Sequence, residues 1–292
     1  MVVEKNANLG VRTTMKIGGY AESLYIPETE EELIDITSKT YDEHGRVLIL
    51  SGGSNLLIND EHRFEEVIYM GSACPEMIAL GDGCFYIGAS NRIQAVISFV
   101  NDNGFGGFEG LVGLPAMFGG IIYMNAGLGG AQKPLFTIGD FVERVRAYDL
   151  AKKTVVELSR EECEFSHRSS AFHRHPYVIL GAVIRCPERT PEHSNEIKEA
   201  RKKYCRENFE YGKGCFGTCF SRASYKILKI VSIHDKIWRL GGGRVTFGKN
   251  NKNWIVNHGG GRYKDARRII NACIRAHKLC RKEVRCEVII WE

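Results

Sequence analysis

The chain has 292 residues, of which 43% are hydrophobic and 26% charged, enough apolar material for two or three packed units. No apolar run reaches the roughly 18–20 residues that span a bilayer, and no charged-plus-apolar leader opens the sequence, so a cytoplasmic protein without membrane insertion is expected. The net charge of +5 hides an asymmetry: residues 191–292 hold 23 Lys+Arg against 10 Asp+Glu, while residues 1–190 hold 17 against 25.

Residues 13–27 read as a glycine turn feeding a strand. Glu30 to Lys39 carries helical spacing, and Val47 to Leu50 reads as a short buried strand, giving a small β-α-β opening. Phe85 to Ala89 is strand-like, and Ile93 to Val100 is apolar at helical spacing, ended by Gly104. Val142–Tyr148 and Thr154–Leu158 predict an antiparallel pair turning at Ala151-Lys-Lys153. Tyr177 to Cys186 is a further strand, and Pro187-Glu-Arg-Thr-Pro191 is the best domain boundary.

Beyond it, Glu192 to Asn208 predicts a charged amphipathic helix, followed by a glycine- and cysteine-bearing loop, Tyr211 to Phe220. A short helix over Tyr225–Ile233, a turn at Gly241-Gly-Gly243 and a strand over Trp254–Asn257 come next. A long helix over Tyr263–Leu279 and a closing strand over Val284–Trp291 complete the chain. Strands and helices interleave too irregularly for one doubly wound sheet, so the expected class is α+β. No repeat or low-complexity stretch appears.

The basic C-terminal third calls for an anionic partner. Its charges alternate with apolar residues over predicted helices, with neither an aromatic stacking motif nor a nucleic-acid fold signature. A phosphorylated small molecule explains the asymmetry as well as a nucleic acid does, and many of these charges are simply a solvated helix face. The ten cysteines are scattered, and the closest pair, Cys215 and Cys219, has no second pair at zinc spacing. Buried thiols of a reducing compartment are expected, and no metal site.

Two glycine segments carry the chemistry. Gly107 to Gly127 is apolar, crowded with glycine, and ends in Asn125-Ala-Gly127. Glycine lets backbone pass where a Cβ would clash, and bunched N–H groups suit anionic oxygens. The segment reads either as a tight loop over a buried sheet or as a wall against a large flat cofactor. The second is Ser51-Gly-Gly-Ser-Asn55, where strand, glycine turn and small polar donors make a pyrophosphate cradle. It is not the G-x-G-x-x-G fingerprint, because Leu56-Leu-Ile58 continues as strand rather than helix. Paired, the two segments suggest a dinucleotide held across two subdomains.

These motifs recur in order in one family. Ser51-Gly-Gly-Ser-Asn55, Gly113-Leu-Pro-Ala-Met-Phe-Gly-Gly120 through Asn125-Ala-Gly127, Phe165-Ser-His-Arg-Ser-Ser-Ala-Phe172, Gly217-Thr-Cys-Phe220 and Glu287-Val-Ile-Ile resemble the MurB family, the UDP-N-acetylenolpyruvoylglucosamine reductases of peptidoglycan synthesis. The resemblance covers nearly the whole chain. The short spacing between Arg168 and Thr218 resembles the branch without an extra substrate-covering loop.

The resemblance implies a vanillyl-alcohol-oxidase-type FAD-binding fold in two subdomains, residues 1–70 and 71–190, and a smaller substrate-binding domain, residues 191–292. FAD would lie between the two glycine segments, held by Ser51, Gly52, Gly53, Ser54, Asn55, Gly113, Pro115, Gly119, Gly120, Asn125, Ala126 and Gly127. NADPH would be the co-substrate and a UDP-sugar enolpyruvyl ether the acceptor, on a chain expected to be a monomer. Hydride addition leaves negative charge beside the substrate carboxylate, which needs cationic or hydrogen-bonding stabilisation. Arg168 and Glu287 match the family's residues for that task, which a protonated or water-bridged glutamate suits best. A proton must then reach the carbanionic carbon.

The family's proton donor is a serine in a Gly-Ser-x-Phe motif, and here that position is Thr218. Threonine keeps the hydroxyl, but its methyl restricts χ1. Cys219 and Cys215 are rival donors, since a thiol is more acidic than a hydroxyl. His167 stands where tyrosine is usual, and Gly212 and Lys213 where proline and serine are common. Arg222 matches a position that can face the substrate diphosphate. Ser170 is a further substrate-side candidate and, in its own right, a local hydrogen-bonding residue. The departures keep three other readings open: a flavin enzyme with another substrate, a silent flavin- or UDP-sugar-binding homologue, and, most weakly, a nucleic-acid binder.

Overall fold

The computed structural model describes residues 1–130, 133–208, 210 and 212–292. It is α+β, as expected, and forms two compact units that are discontinuous in sequence. The first unit takes Met1–Lys5, Ser23–Ser51 and Glu66–Tyr204, and the second takes Asn6–Glu22, Gly52–Glu65 and Cys205–Glu292. The division therefore falls inside the Ser51–Asn55 loop.

The first unit is built on a five-stranded antiparallel sheet. Its central strand, Tyr177–Arg185, pairs on one side with Val142–Asp149 and on the other with Cys84–Gly88. Thr154–Ser159 and Met77–Gly81 form the edges. The expected turn at Ala151-Lys-Lys153 is present, with the Asp149 carboxylate accepting from the Ala151 and Lys152 amides at 3.0 Å. Tyr177–Arg185 has seven consecutive buried residues because helices pack against it. These are α1 (Glu30–His44), α2 (Ile93–Asp102) and α3 (Phe118–Tyr123), with α1 and α3 on that strand and α2 against α3.

Helix α1 starts where Thr29 accepts from the Glu32 amide, with Glu30, Glu31 and Glu32 in its first turn, and stops at Gly45 in the left-handed region. It outruns the predicted helix by five residues. Helix α2 buries Ile93, Val96, Ile97 and Val100, the i, i+3, i+4, i+7 face read from the sequence. Helix α4 (Pro191–Asn208) begins one residue before the predicted Glu192, with proline in its first turn, and ends at the predicted Asn208. Near its start the carboxylate of Glu109, 1% exposed, accepts from the Gly107 amide (2.9 Å), Ser194 Oγ (3.0 Å) and Asn101 Nδ2 (3.3 Å). A buried carboxylate is tolerable only when so satisfied.

The second unit holds a three-stranded antiparallel sheet in the order Gly214–Thr218, Trp254–Asn257, Val245–Phe247. Helices α5 (Tyr225–Trp238) and α6 (Tyr263–Leu279) pack on each other and on the last strand. Their core joins Phe216, Phe220, Leu228, Ile255, Ile269 and Ile270. Strand Gly214–Thr218 replaces most of the loop expected over residues 211–220; Tyr211, at its start, lies outside the described residues. Helix α5 runs five residues past the predicted Ile233, because Asp235 turns inward and accepts from the Gly241 amide at 3.2 Å.

The predicted closing strand is in fact two. Arg285–Cys286 pairs antiparallel with Phe220–Arg222, and Ile289–Trp291 pairs parallel with Leu56–Ile58. Glu287 sits at the change of partner.

Candidate functional site

In the first unit the predicted residues gather around α3. Six of the twenty-one residues of the block read as a glycine wall form this helix, with Gly119 and Gly120 inside it. A Cβ on Gly119 would meet the Ala89 Cβ at 2.9 Å, and one on Gly127 would meet the Phe136 carbonyl oxygen at 2.1 Å. Internal packing by itself already requires both glycines, whatever else they meet. Gly120 is different: its Cβ would have only Ser51 for a neighbour, with Oγ at 3.4 Å. That Ser51 Oγ is buried and lacks a hydrogen-bond partner among the described residues. An unmet hydroxyl beside an uncovered helical glycine is what a polar ligand group would complete. Gly113 closes the short 3-10 helix before Pro115, which is exposed.

The Arg168 turn is fastened to the same helix end. Ser166 and Ser169 exchange backbone hydrogen bonds of 3.0 and 3.2 Å, with Arg168 in the left-handed region at φ +54°. For a side chain other than Gly, Asn or Asp this costs about 1–2 kcal/mol, so neighbouring contacts must hold it. Asn125, 3% exposed and itself left-handed at φ +42°, donates from Nδ2 to the Ser166 carbonyl (2.9 Å) and accepts from the Gly139 amide (3.0 Å). Arg168 Nη2 donates to the Gly127 carbonyl at 3.1 Å. Ser170 is fully buried, and its Oγ donates to the Tyr123 carbonyl at 2.7 Å. The Asn125-Ala-Gly127 segment and the arginine turn, some forty residues apart, are one hydrogen-bonded assembly. Ala126 is buried within it.

In the second unit, Gly53 adopts φ +60°, and a Cβ there would lie 2.2 Å from the Arg12 carbonyl oxygen. Its own carbonyl accepts from the Thr14 amide at 3.0 Å, so the predicted N-terminal glycine turn and the Ser51–Asn55 loop brace each other. Gly52, Ser54 and Asn55 are partly buried beside it. Asn55 Nδ2 donates to the Glu287 carbonyl at 2.8 Å, and the Asn55 carbonyl accepts from the Ile289 amide at 3.0 Å. The Glu287 amide donates to the Cys219 carbonyl at 3.0 Å. Three segments far apart in the chain, around positions 55, 218 and 287, therefore meet at one node.

Thr218 and Glu287 are partly buried. Cys219 is fully buried in the apolar core, and burial drives its thiol well above the usual range. Cys215 is pushed up to about 11, again mainly by burial. Arg222 is exposed, its Nη1 donating to both Glu283 carboxylate oxygens at 2.8 Å. Lys213 pairs with Glu210 at 2.8 Å, and Lys16 Nζ donates to the Gly212 carbonyl at 3.1 Å. All ten cysteines are free and six are buried; Cys74, Cys163, Cys186 and Cys273 are pushed up to about 12 by burial, as inert structural thiols should be.

Sequence reasoning missed the bracing residues. Tyr123, Gly139 and Ser166 lend backbone groups to the site, and a backbone group carries no signal in residue type.

Residues 21–159 match the family model of the FAD binding domain. A UDP-N-acetylenolpyruvoylglucosamine reductase from Bacillus subtilis is 28% identical over 272 residues, 91% of this chain and 86% of that protein. The enzyme of the same name from Caldanaerobacter subterraneus is 28% identical over 265 residues, covering 88% and 83%. The crystal structure of the reductase from Thermus caldophilus superposes with a TM-score of 0.77 over 100% of both chains at 24% identity, a likeness of fold.

Proposed function

We infer that this chain is a member of the UDP-N-acetylenolpyruvoylglucosamine reductase family, and its site is read from that premise. It is an FAD-dependent, NADPH-using reductase that converts UDP-N-acetylglucosamine enolpyruvate into UDP-N-acetylmuramate for peptidoglycan synthesis. The observation that carries this reading is the node joining Asn55, Cys219 and Glu287, since it ties the glycine loop to the two motifs assigned to the substrate. The chain is read as a cytoplasmic monomer; none of its described helices is long and apolar enough to cross a membrane.

FAD, when bound, supplies the hydride relay between NADPH and the enolpyruvyl double bond. The residues that would hold it are Ser51 to Asn55, with the unmet Ser51 hydroxyl as a donor, and Gly113, Pro115, Gly119, Gly120 and Asn125 to Gly127. Arg168 is assigned to the substrate carboxylate, where its guanidinium offsets the charge that develops next to it. The turn fixed by Asn125 and the bond from Arg168 Nη2 to the Gly127 carbonyl would hold the guanidinium in place before the reaction. Glu287 is assigned to the same carboxylate and Thr218 to delivery of the proton. Burial of Cys219 in the core argues against it as donor, leaving Cys215 as the rival. Arg222 is proposed to meet the substrate diphosphate, for which it would leave Glu283. Ser170 serves by holding the arginine turn from beneath.

Two glycine substitutions separate cofactor contact from packing. Gly120→Val should keep the fold, because little protein occupies its Cβ position, but should purify with flavin largely missing. Gly127→Ala should lower stability by about 1–3 kcal/mol through overpacking against Phe136. Urea midpoints and the flavin-to-protein absorbance ratio read the two effects. A Gly120→Val protein with full flavin would remove that glycine from the cofactor site.

A further inference from the structure

Helix α5 presents an outer face left exposed among the described residues. Ile230, Ile233 and Ile237 lie at i, i+3 and i+7 and are 66%, 59% and 69% exposed, and Trp238, also 69% exposed, closes the row. The opposite face, with Ile227, Leu228 and Val231, is already spent on the core. Isolated exposed apolar residues are ordinary, but three isoleucines in register on one helix, with an exposed indole at its end, are not.

The exposed charge carried by the helix itself has one sign. Lys226, Lys229 and Lys236 are exposed on the same helix, and Arg239 caps it. The helix's one acid, Asp235, points inward to the Gly241 amide. His234 stacks against Trp238, 6.0 Å between ring centroids. The helix thus exposes a strip of isoleucines with an indole at its end and lysines beside it, and exposes no acid of its own.

We propose that this face of α5 docks the protein reversibly onto an anionic phospholipid surface. An apolar strip with tryptophan at its end and lysines at its edge is the pattern of a helix that lies in the headgroup layer. The lysines supply attraction to anionic headgroups, and the isoleucines supply buried area. A lipid surface fits better than an acidic protein groove because the lysines match diffuse anionic headgroup charge and a soft layer receives the isoleucines without a shaped partner. The docking leaves the chain peripheral, lying on the bilayer rather than crossing it.

The test is co-sedimentation of the flavin-loaded protein with vesicles of equal parts phosphatidylglycerol and phosphatidylcholine, and with phosphatidylcholine alone. The proposal expects binding to the first, little to the second, a blue shift of tryptophan emission, and release at high salt. Ile233→Asp should weaken binding at least tenfold, and each of Lys226→Glu, Lys229→Glu and Lys236→Glu should weaken it about fivefold or more. All four should keep the visible flavin spectrum and reductase turnover, showing that the fold is intact. Absence of wild-type binding to anionic vesicles would overturn the proposal, as would binding that Ile233→Asp retains. A solution dimer that Ile233→Asp converts to monomer, with no vesicle binding, would assign the face to a second copy instead.

Discussion

Arg168→Ala should reduce the oxidative half-reaction by about 10²–10³-fold, the usual cost of removing one donor aimed at developing negative charge. Reduction of the flavin by NADPH should be nearly unchanged. The two half-reactions can be timed separately by anaerobic stopped flow at the flavin absorbance band. Alanine at φ +54° also carries backbone strain of its own, so Arg168→Asn is the better-matched control, since asparagine tolerates that region. It should lose the same activity with the flavin retained. Arg168→Lys keeps the charge but not the planar fork and should fall between the two. If both half-reactions dropped equally, the arginine would be holding the site together through Gly127 rather than acting on substrate.

Thr218→Ala should slow substrate protonation by about 10²–10⁴-fold, the range that one positioned general acid contributes. Thr218→Ser should be neutral or faster, because it keeps the hydroxyl and loses the methyl that restricts χ1. Cys219→Ala should cost stability through a core cavity, but little in the protonation step, since its thiol faces the apolar cluster. Cys215→Ala should leave the rate alone. A Thr218→Ala enzyme of normal rate, combined with a slow Cys215→Ala enzyme, would move the donor to the thiol. Single-turnover rates in H₂O and D₂O distinguish a slowed proton transfer from a slowed hydride step.

What the sequence made legible follows from where its signals lie. Trp254–Asn257 and Tyr263–Leu279 are legible to the residue because apolar periodicity and flanking glycines agree there. Helix α3 was hidden because Gly119 and Gly120 lower helix propensity, and only packing on Ala89 repays the loss. Strand Gly214–Thr218 reads as loop for the same reason: Gly214 marks close approach to the Met15 carbonyl, and Gly217, at φ +77°, sits at an irregularity in the ladder rather than in a turn between elements. The break at Glu287 could not be read at all. Val284 to Trp291 is a continuous strand by composition, and only two different partners divide it.

The candidate site shows the same limit. Motifs named Arg168, Thr218 and Glu287, but composition and spacing said nothing of the Asn125 side chain that pins the arginine turn, or of Asn55 reaching the Glu287 carbonyl. Those are contacts between positions 41 and 232 residues apart. Ser170 shows the converse. A serine in a substrate motif looks like a ligand-binding group until its burial and its bond to the Tyr123 carbonyl are known.

The most direct test is an anaerobic stopped-flow experiment on the purified protein, following its visible spectrum while NADPH and then UDP-N-acetylglucosamine enolpyruvate are added. Absorbance at the flavin band should bleach with the first addition and return with the second. Bleaching without return would contradict the assigned substrate, and a protein that takes up no flavin even when FAD is supplied would contradict the cofactor site itself.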